Sequence, residues 1–230
     1  MQPHHLPLVN QFLTQFITEE RLQLFQRVLE TRTRYLTAVL EDIYQTQNAS
    51  AVIRSCECFG IQDVHIIENR NPFRLHSRIT MGSTKWLTLN RHNQSENNTP
   101  ETLRTLKEQG YRIVATLPDP RTVSLEHFDL AAGKTALVFG SEKPGISSQV
   151  ESLADEFLTI PMVGFTESLN ISASAAILFQ NLTSRLRLSG LNWQLTPGEK
   201  DEILYVWLTK HIRHSHLLVK RFLGDNKSVF

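Results

Sequence analysis

Six short runs rich in β-branched residues alternate along the chain with helical patterns, and this alternation leaves few architectures open. The runs are LTAVLEDI (36–43), DVHIIE (63–68), WLTL (86–89), RIVATL (112–117), TALVFG (135–140) and EFLTIPM (156–162). Apolar residues at three- and four-residue spacing fill the intervals near 48–59, 99–109, 147–153 and 168–188. Strand and helix alternating at this pitch predict an α/β fold, a mostly parallel sheet with helices on both faces. Helical spacing also runs through residues 6–34 (LPLVNQFLTQFITEERLQLFQRVLETRTR) and from Pro197 to Phe222, where Pro197 suits a helix start. The polar stretch RHNQSENNTP (91–100) reads as a loop. The chain thus divides into an N-terminal helical extension (1–34), a central domain (35–190) and a C-terminal helical extension (191–230).

At 230 residues and 40% hydrophobic, the chain is long enough for one good-sized core with appendages. A formal net charge of +1 means that a nucleic-acid partner would have to be met by local basic patches. The two cysteines, Cys56 and Cys58, stand too close for an unstrained bridge, which favours a reducing, cytoplasmic setting. The opening MQPHHLPLVNQFLTQF has no Lys or Arg before Arg21 and no compact apolar segment, so it does not read as a secretion signal. No apolar run approaches membrane-spanning length.

Several common chemistries are excluded by pattern. The ten glycines never fall as G-x-G, so the dinucleotide fingerprint is missing. Gly140 and Gly145 have the spacing of half a phosphate loop, but Ile146 and Ser147 stand where the phosphate-binding Lys would follow. There is no G-x-S-x-G elbow and no H-E-x-x-H pair. His211, His214 and His216 have no acidic or cysteine ligand beside them and read as part of a basic helix face, with no metal expected.

What remains are loops that bind through backbone. In TALVFGSEKPGIS the missing Cβ of Gly140 lets a flat ligand or another backbone come close, Pro144 and Gly145 turn the chain, and Glu142 is a lone carboxylate. In IPMVGFTESLNISASAA, Ser168 is placed to cap the following helix, and the small residues from Ser172 to Ala176 keep its first turns thin. In YQTQNASAVIRSCECFGI, Asn48 and Arg54 lie six residues apart; if Asn48 caps that helix, Arg54 projects from its second turn. Cys56 and Cys58 on the same helix read as packing residues.

The order Asn48 to Arg54, then LVFGSEKPGIS, then IPMVGFTESLNISASAA resembles the three motifs of the SpoU/TrmH branch of the SPOUT superfamily, RNA 2′-O-ribose methyltransferases; the likeness runs from about Arg21 to Arg187. The resemblance implies a sheet whose C-terminal part is threaded as a trefoil knot, S-adenosylmethionine bound in the knot, and a homodimer. Carried over by position, the cofactor contacts are Leu117, Phe139, Gly140, Glu142, Ile160, Met162, Ser168 and Leu169. The catalytic set is Arg54 with Asn48, Glu142, Ser168 and Asn170. Arg54 acts either as a general base primed by an RNA phosphate or as an electrostatic grip on phosphate and developing alkoxide; its identity does not choose between them, although a guanidinium holds its proton tenaciously.

Basic residues supply the patches that RNA needs. Arg21, Arg27, Arg32 and Arg34 lie on the first helical segment, Arg70, Arg74 and Arg78 on NRNPFRLHSR, and Lys210, Arg213, Lys220 and Arg221 in the tail. By resemblance, Arg185 and Arg187 contact tRNA, and with Arg21, Arg27 and Arg34 form the expected RNA-binding set. The helical extensions most resemble the tRNA branch, which methylates a D-loop guanosine. About 35 residues before the first strand are too few for the separate domain usual in ribosomal RNA enzymes. Ribosomal RNA methylation and a non-catalytic RNA-binding adaptor are the alternatives. Retention of Asn48, Arg54, Glu142, Ser168 and Asn170 together argues against the adaptor.

Overall fold

Seven parallel strands build one sheet in the order β3-β2-β1-β6-β4-β7-β5. They are β1 (Leu36–Glu41), β2 (Asp63–Ile67), β3 (Thr88–His92), β4 (Arg112–Thr116), β5 (Val123–Ser124), β6 (Thr135–Phe139) and β7 (Glu156–Thr159). The structure, a computed structural model, describes residues 5–117 and 122–225. Contacts separate the chain into one unit of Thr33–Trp193, which holds the sheet, and one made of the two chain ends, up to Arg32 and from Gln194 onward. Of the extensions anticipated at 1–34 and 191–230, the parts up to Arg32 and from Gln194 onward share a unit, while residues 33–34 and 191–193 belong with the sheet.

The central strands are buried along their whole length, as a parallel sheet covered on both faces requires. Alternate residues of β1 enter opposite cores. Leu36, Ala38 and Leu40 pack with α3 (Thr46–Phe59) and α7 (Ile171–Leu188), while Val39 packs with α5 (Thr99–Glu108) and α6 (Ser148–Leu153). Phe139 of β6 meets Phe179 of α7 edge to face, ring centroids 5.6 Å apart. Cys56 is buried on the inner side of α3, whereas Cys58, also read as a packing residue, is exposed; neither forms a disulfide. Gly60 at φ 81° ends α3 in the left-handed conformation.

The structure moves several boundaries. The strand read at 86–89 begins at Thr88 and continues through Arg91 and His92, inside the stretch read as a loop. Its backbone pairs there with Ile66 and Ile67, and Arg91 finds a carboxylate partner in Glu68, 2.8 Å away. The two-residue β5 is too short for any periodicity to mark. A single helical turn, α4 (Ser77–Thr80), follows the NRNPFRLH loop. Helix α7 starts at Ile171, capped by Asn170, not Ser168.

In the other unit the segment read as one helix over 6–34 is two, α1 (Leu6–Thr14) and α2 (Glu19–Leu29); Thr18 starts the second by accepting a hydrogen bond from the Arg21 amide. The tail also divides, into α8 (Pro197–His211) and α9 (Ser215–Asp225), with His214 between them at φ 57°. A capping box of Thr196 and Glu199 opens α8. Arg32, read as a surface cation, is buried, its guanidinium 5.5 Å from the Trp207 ring centroid. Among the described residues no helix is long and apolar enough to cross a membrane.

Phe179 is fully buried against β6. Phe179→Ala is therefore expected to lower unfolding stability by about 3–5 kcal/mol, and Phe179→Leu by clearly less; urea denaturation followed by circular dichroism measures both.

Candidate active site

The loop after β6 is built to hold one shape. Ser141 and Gly145 exchange backbone hydrogen bonds in both directions, at 2.8 and 2.9 Å, closing a five-residue loop on itself. Gly145 closes it at φ 71°. A Cβ on Gly140 would overlap the Gly145 carbonyl and the Ile146 amide, so the close neighbour anticipated at this glycine is the loop's own backbone. Beyond the loop, Ser147 caps α6 and donates from its hydroxyl to Glu41 Oε1 at 2.6 Å; its amide donates to Oε2 at 3.0 Å. Glu41 also accepts from Thr99 Oγ1 at 2.7 Å, which ties the starts of α5 and α6 to the end of β1.

Glu142 points from this loop to the start of α3. Its carboxylate accepts from the amides of Tyr44 and Gln45, both at 3.1 Å, and from Asn48 Nδ2 at 2.8 Å. The negative charge thus meets the positive end of the helix dipole and replaces a side-chain cap, which Gln45 does not provide. Asn48 lies inside α3 and is not its cap. Burial pushes the Glu142 carboxyl up. Hydrogen bonds from Asn48, from its own amide and from the amides of Gln45 and Tyr44 outweigh that and hold it below its ordinary value of 4.5.

A second link completes the chain of contacts. Asn48 Oδ1 accepts from Asn170 Nδ2 at 3.1 Å, and Asn170 Oδ1 accepts from the Ser172 amide at 2.8 Å and its hydroxyl at 2.6 Å. Three segments far apart in sequence are joined by Glu142, Asn48 and Asn170. With both its amide groups engaged, Asn48 has one orientation that satisfies its two neighbours.

These segments surround a cavity of about 470 Å³ at the C-terminal ends of β4, β6 and β7, the edge where parallel sheets take ligands. Leu117, Phe139, Gly140, Glu142, Ile160, Met162, Ser168 and Leu169, all assigned to ligand contact from sequence, line it together with Asn48 and Asn170. Its walls mix apolar side chains with strand-end backbone and a few polar groups, the make-up that a flat heterocycle with a polar edge requires. Arg54 does not line the cavity. It is exposed on α3, and its Nη1 donates to the Ile79 carbonyl at 3.4 Å.

The five arginines expected to bind RNA differ in their freedom. Arg27 is exposed, and Arg21 lies 5.9 Å from the Phe25 ring centroid. Arg34 pairs with Asp63 at 3.0 Å. Arg185 donates to the carbonyls of Leu125 and Phe128, and Arg187 to that of Phe59 at 2.7 Å. The sequence reading passed over Glu41 and the lining residues Gln45, Thr116, Ser141 and Lys143. For Glu41 a signal existed, an acid ending the apolar run of a central strand, where only a partnered carboxylate is stable. Among the described residues no three His, Cys, Asp or Glu side chains converge as a metal site would need.

The model of the SpoU rRNA methylase family matches residues 35–180. A tRNA (guanosine(18)-2′-O)-methyltransferase of Borreliella burgdorferi is 43% identical over 191 residues, 83% of this chain and 85% of that protein. One of the same name from Thermus thermophilus is 34% identical over 196 residues, 84% of this chain and 98% of its own. The TrmH/SpoU tRNA modifying enzyme of A. aeolicus superposes with a TM-score of 0.74 at 27% identity, over 85% of this chain and 98% of that one.

Two outcomes follow from the site. Gly140→Ala drives a methyl group into backbone and is expected to destabilise the fold by about 1–3 kcal/mol or more, measured by urea denaturation. A carboxyl held below its ordinary value stabilises the folded state above that value and loses its contribution as pH falls through its folded pKa. The melting-temperature advantage of wild type over Glu142→Gln should therefore shrink as pH drops from about 6 to about 3; an advantage constant across that range would contradict the carboxylate's role.

Proposed function

Because the chain belongs to the SpoU rRNA methylase family, we propose that it is an S-adenosylmethionine-dependent methyltransferase acting on the ribose 2′-oxygen of guanosine 18 in tRNA. The observation that carries this reading is the hydrogen-bonded joining of Glu142, Asn48 and Asn170 at the mouth of the cavity, in a chain 43% identical to a relative of that activity. The alternative of ribosomal RNA as substrate is less favoured, since the three relatives compared all carry tRNA in their names.

When bound, S-adenosylmethionine supplies an electrophilic methyl group on a sulfonium. Leu117, Phe139, Ile160, Met162 and Leu169 provide apolar walls for it, Gly140 keeps the loop shut behind it, and Glu142 and Ser168 border it with polar groups. The protein's task is then to bring the 2′-hydroxyl in line and to favour loss of its proton. Glu142 already accepts hydrogen bonds from the Tyr44 and Gln45 amides just before α3 and from Asn48 within it, so its part is to fix Asn48 and not to take a proton. Asn48 and Asn170, at the cavity edge, orient the ribose. Arg54, outside the cavity with most of its N–H groups unengaged, grips a phosphate of the RNA and stabilises the developing alkoxide. Arg21, Arg27, Arg34, Arg185 and Arg187 contribute further RNA contacts, the last three through whatever donors their partners within the protein leave free.

The same reading includes a trefoil knot, a homodimer and a cytoplasmic location. The knot is favoured by the order of strands: β7 enters between β4 and β5, both made earlier, before the chain continues into α7. The dimer is favoured by Val163 and Phe165, fully exposed in the loop between β7 and α7 that also walls the cavity. A second copy covering that loop would bury both.

Labelled S-adenosylmethionine with unmodified tRNA transcript tests the proposal. Methyl transfer to the guanosine 18 ribose is expected. Label in ribosomal RNA alone would move the substrate, and cofactor binding without transfer to either would favour the adaptor. Arg54→Ala should lower kcat/KM for tRNA by at least about 100-fold with cofactor affinity unchanged, whereas Gly140→Ala should abolish cofactor binding; an active Arg54→Ala removes the arginine from the mechanism.

A further inference from the structure

We propose that the segment that leads from β2 into α4, residues 69–78, is a preformed phosphate-gripping face for the RNA substrate, its contacts made by Arg70 and Arg74 in the loop and Arg78 in α4. The assignment rests on the reading above that the chain acts on tRNA.

The backbone of this segment is fixed from within. Asp42, held at φ 54°, accepts at Oδ1 from the successive amides of Asn69, Arg70 and Asn71, at 3.1, 2.8 and 2.8 Å, and its carbonyl accepts from Asn71 Nδ2 at 2.9 Å. Glu68 Oε2 accepts from the Phe73 amide at 2.7 Å, and the Phe73 ring packs on the core with the Arg91 guanidinium 5.7 Å from its centroid. The His76 amide donates to Ser50 Oγ, buried in α3, at 2.9 Å. A loop that carried its charges only for solubility would need none of these ties.

The side chains on this frame are the reverse of the backbone. Arg70, Arg74 and Arg78 are exposed, and their guanidinium groups have no hydrogen-bond or ion-pair partner among the described residues. Of the acids near the loop, Asp42 Oδ1 accepts from three amides and Glu68 holds both arms of Arg91 at 2.8 Å, while Glu96, which lines one cavity with Arg70, forms no ion pair with it. Arg34, Arg91, Arg112, Arg185 and Arg187 are by contrast each anchored inside the protein. Three unpaired guanidinium groups on a rigid loop lose little conformational freedom beyond their own rotamers when they meet phosphate, and each can do so bidentately. The loop also leads to the active site. It runs into α4, which packs on α3, and the α4 carbonyl of Ile79 accepts from Arg54. A strand of RNA laid along the loop would therefore reach Arg54 next.

The test compares the full chain with a triple variant, Arg70→Gln, Arg74→Gln and Arg78→Gln, and with the matching Arg→Lys triple. Binding to unmodified tRNA transcript is measured across a salt series, alongside S-adenosylmethionine affinity, melting temperature and steady-state methyl transfer. The Gln triple is expected to bind tRNA roughly 30-fold more weakly and to lower the slope of log affinity against log salt by about 2–3, near one released counterion per arginine. KM for tRNA rises with kcat at saturation, cofactor affinity and melting temperature unchanged, and the Lys triple recovers most of the binding. A Gln triple equal to wild type in tRNA affinity and salt slope overturns the loop assignment while leaving the function intact. Parallel loss of cofactor affinity and melting temperature overturns it too, in favour of a structural role. Wild type that neither binds nor methylates tRNA removes the functional reading itself, and this assignment with it.

Discussion

Asn48 accepts a hydrogen bond from Asn170 and donates to Glu142 as well as to Gln45, and the cavity's geometry depends on the links to Asn170 and Glu142. Its Nδ2 is held by Glu142 from the loop after β6, and its Oδ1 by Asn170 from the loop before α7. Neither loop has regular secondary structure to position it, so the contact with α3 is what sets the distance between them. Because α3 is itself seated by Val52, Ile53 and Cys56 in the core, the position of both loops is tied to the sheet through this helix. A partnered amide in this position is costly to remove, since it would leave a carboxylate and a second amide without their donors and acceptors.

The electrostatics of the site follow from the same arrangement. Glu142 is stabilised as an anion by α3, which makes it a good structural acceptor and a poor proton acceptor. Arg54, two turns further along the same helix, is left facing outward. One helix therefore carries both the anchor of the loop after β6 at its start and an outward-facing cation in its middle.

Much of this was legible in the residues. The continuous apolar runs of β1 and β6 and the helical spacing between them specify a parallel sheet, because period and burial are local properties that sequence records directly. All eight residues assigned to ligand contact do line one cavity, since Gly, Pro and polar residues after apolar runs mark strand ends. What could not be read were partnerships between distant segments. Arg32 and Arg27 look alike in sequence, yet one is buried against Trp207 and the other is exposed, a difference made by a helix about 175 residues away. Ser168 and Asn170 are both good caps by chemistry; Asn170 starts the helix because its amide is also held by Asn48. Breaks at Thr18 and His214 were hidden because apolar spacing continues across them.

The strand order has a consequence for how such a chain is made. Strand β4 lies between β6 and β7, both of which follow it in the sequence, and β1 waits for β6 on one side. A ribosome therefore releases an apolar strand with no partner for either edge until some twenty further residues have emerged, and the sheet is complete only when β7 enters between β4 and β5. Long-range pairing of this kind slows folding and leaves open edges that other chains can join. Synthesis speed through residues 112–159, and whatever shields the nascent chain over that interval, then bear on how much of the protein reaches its native form.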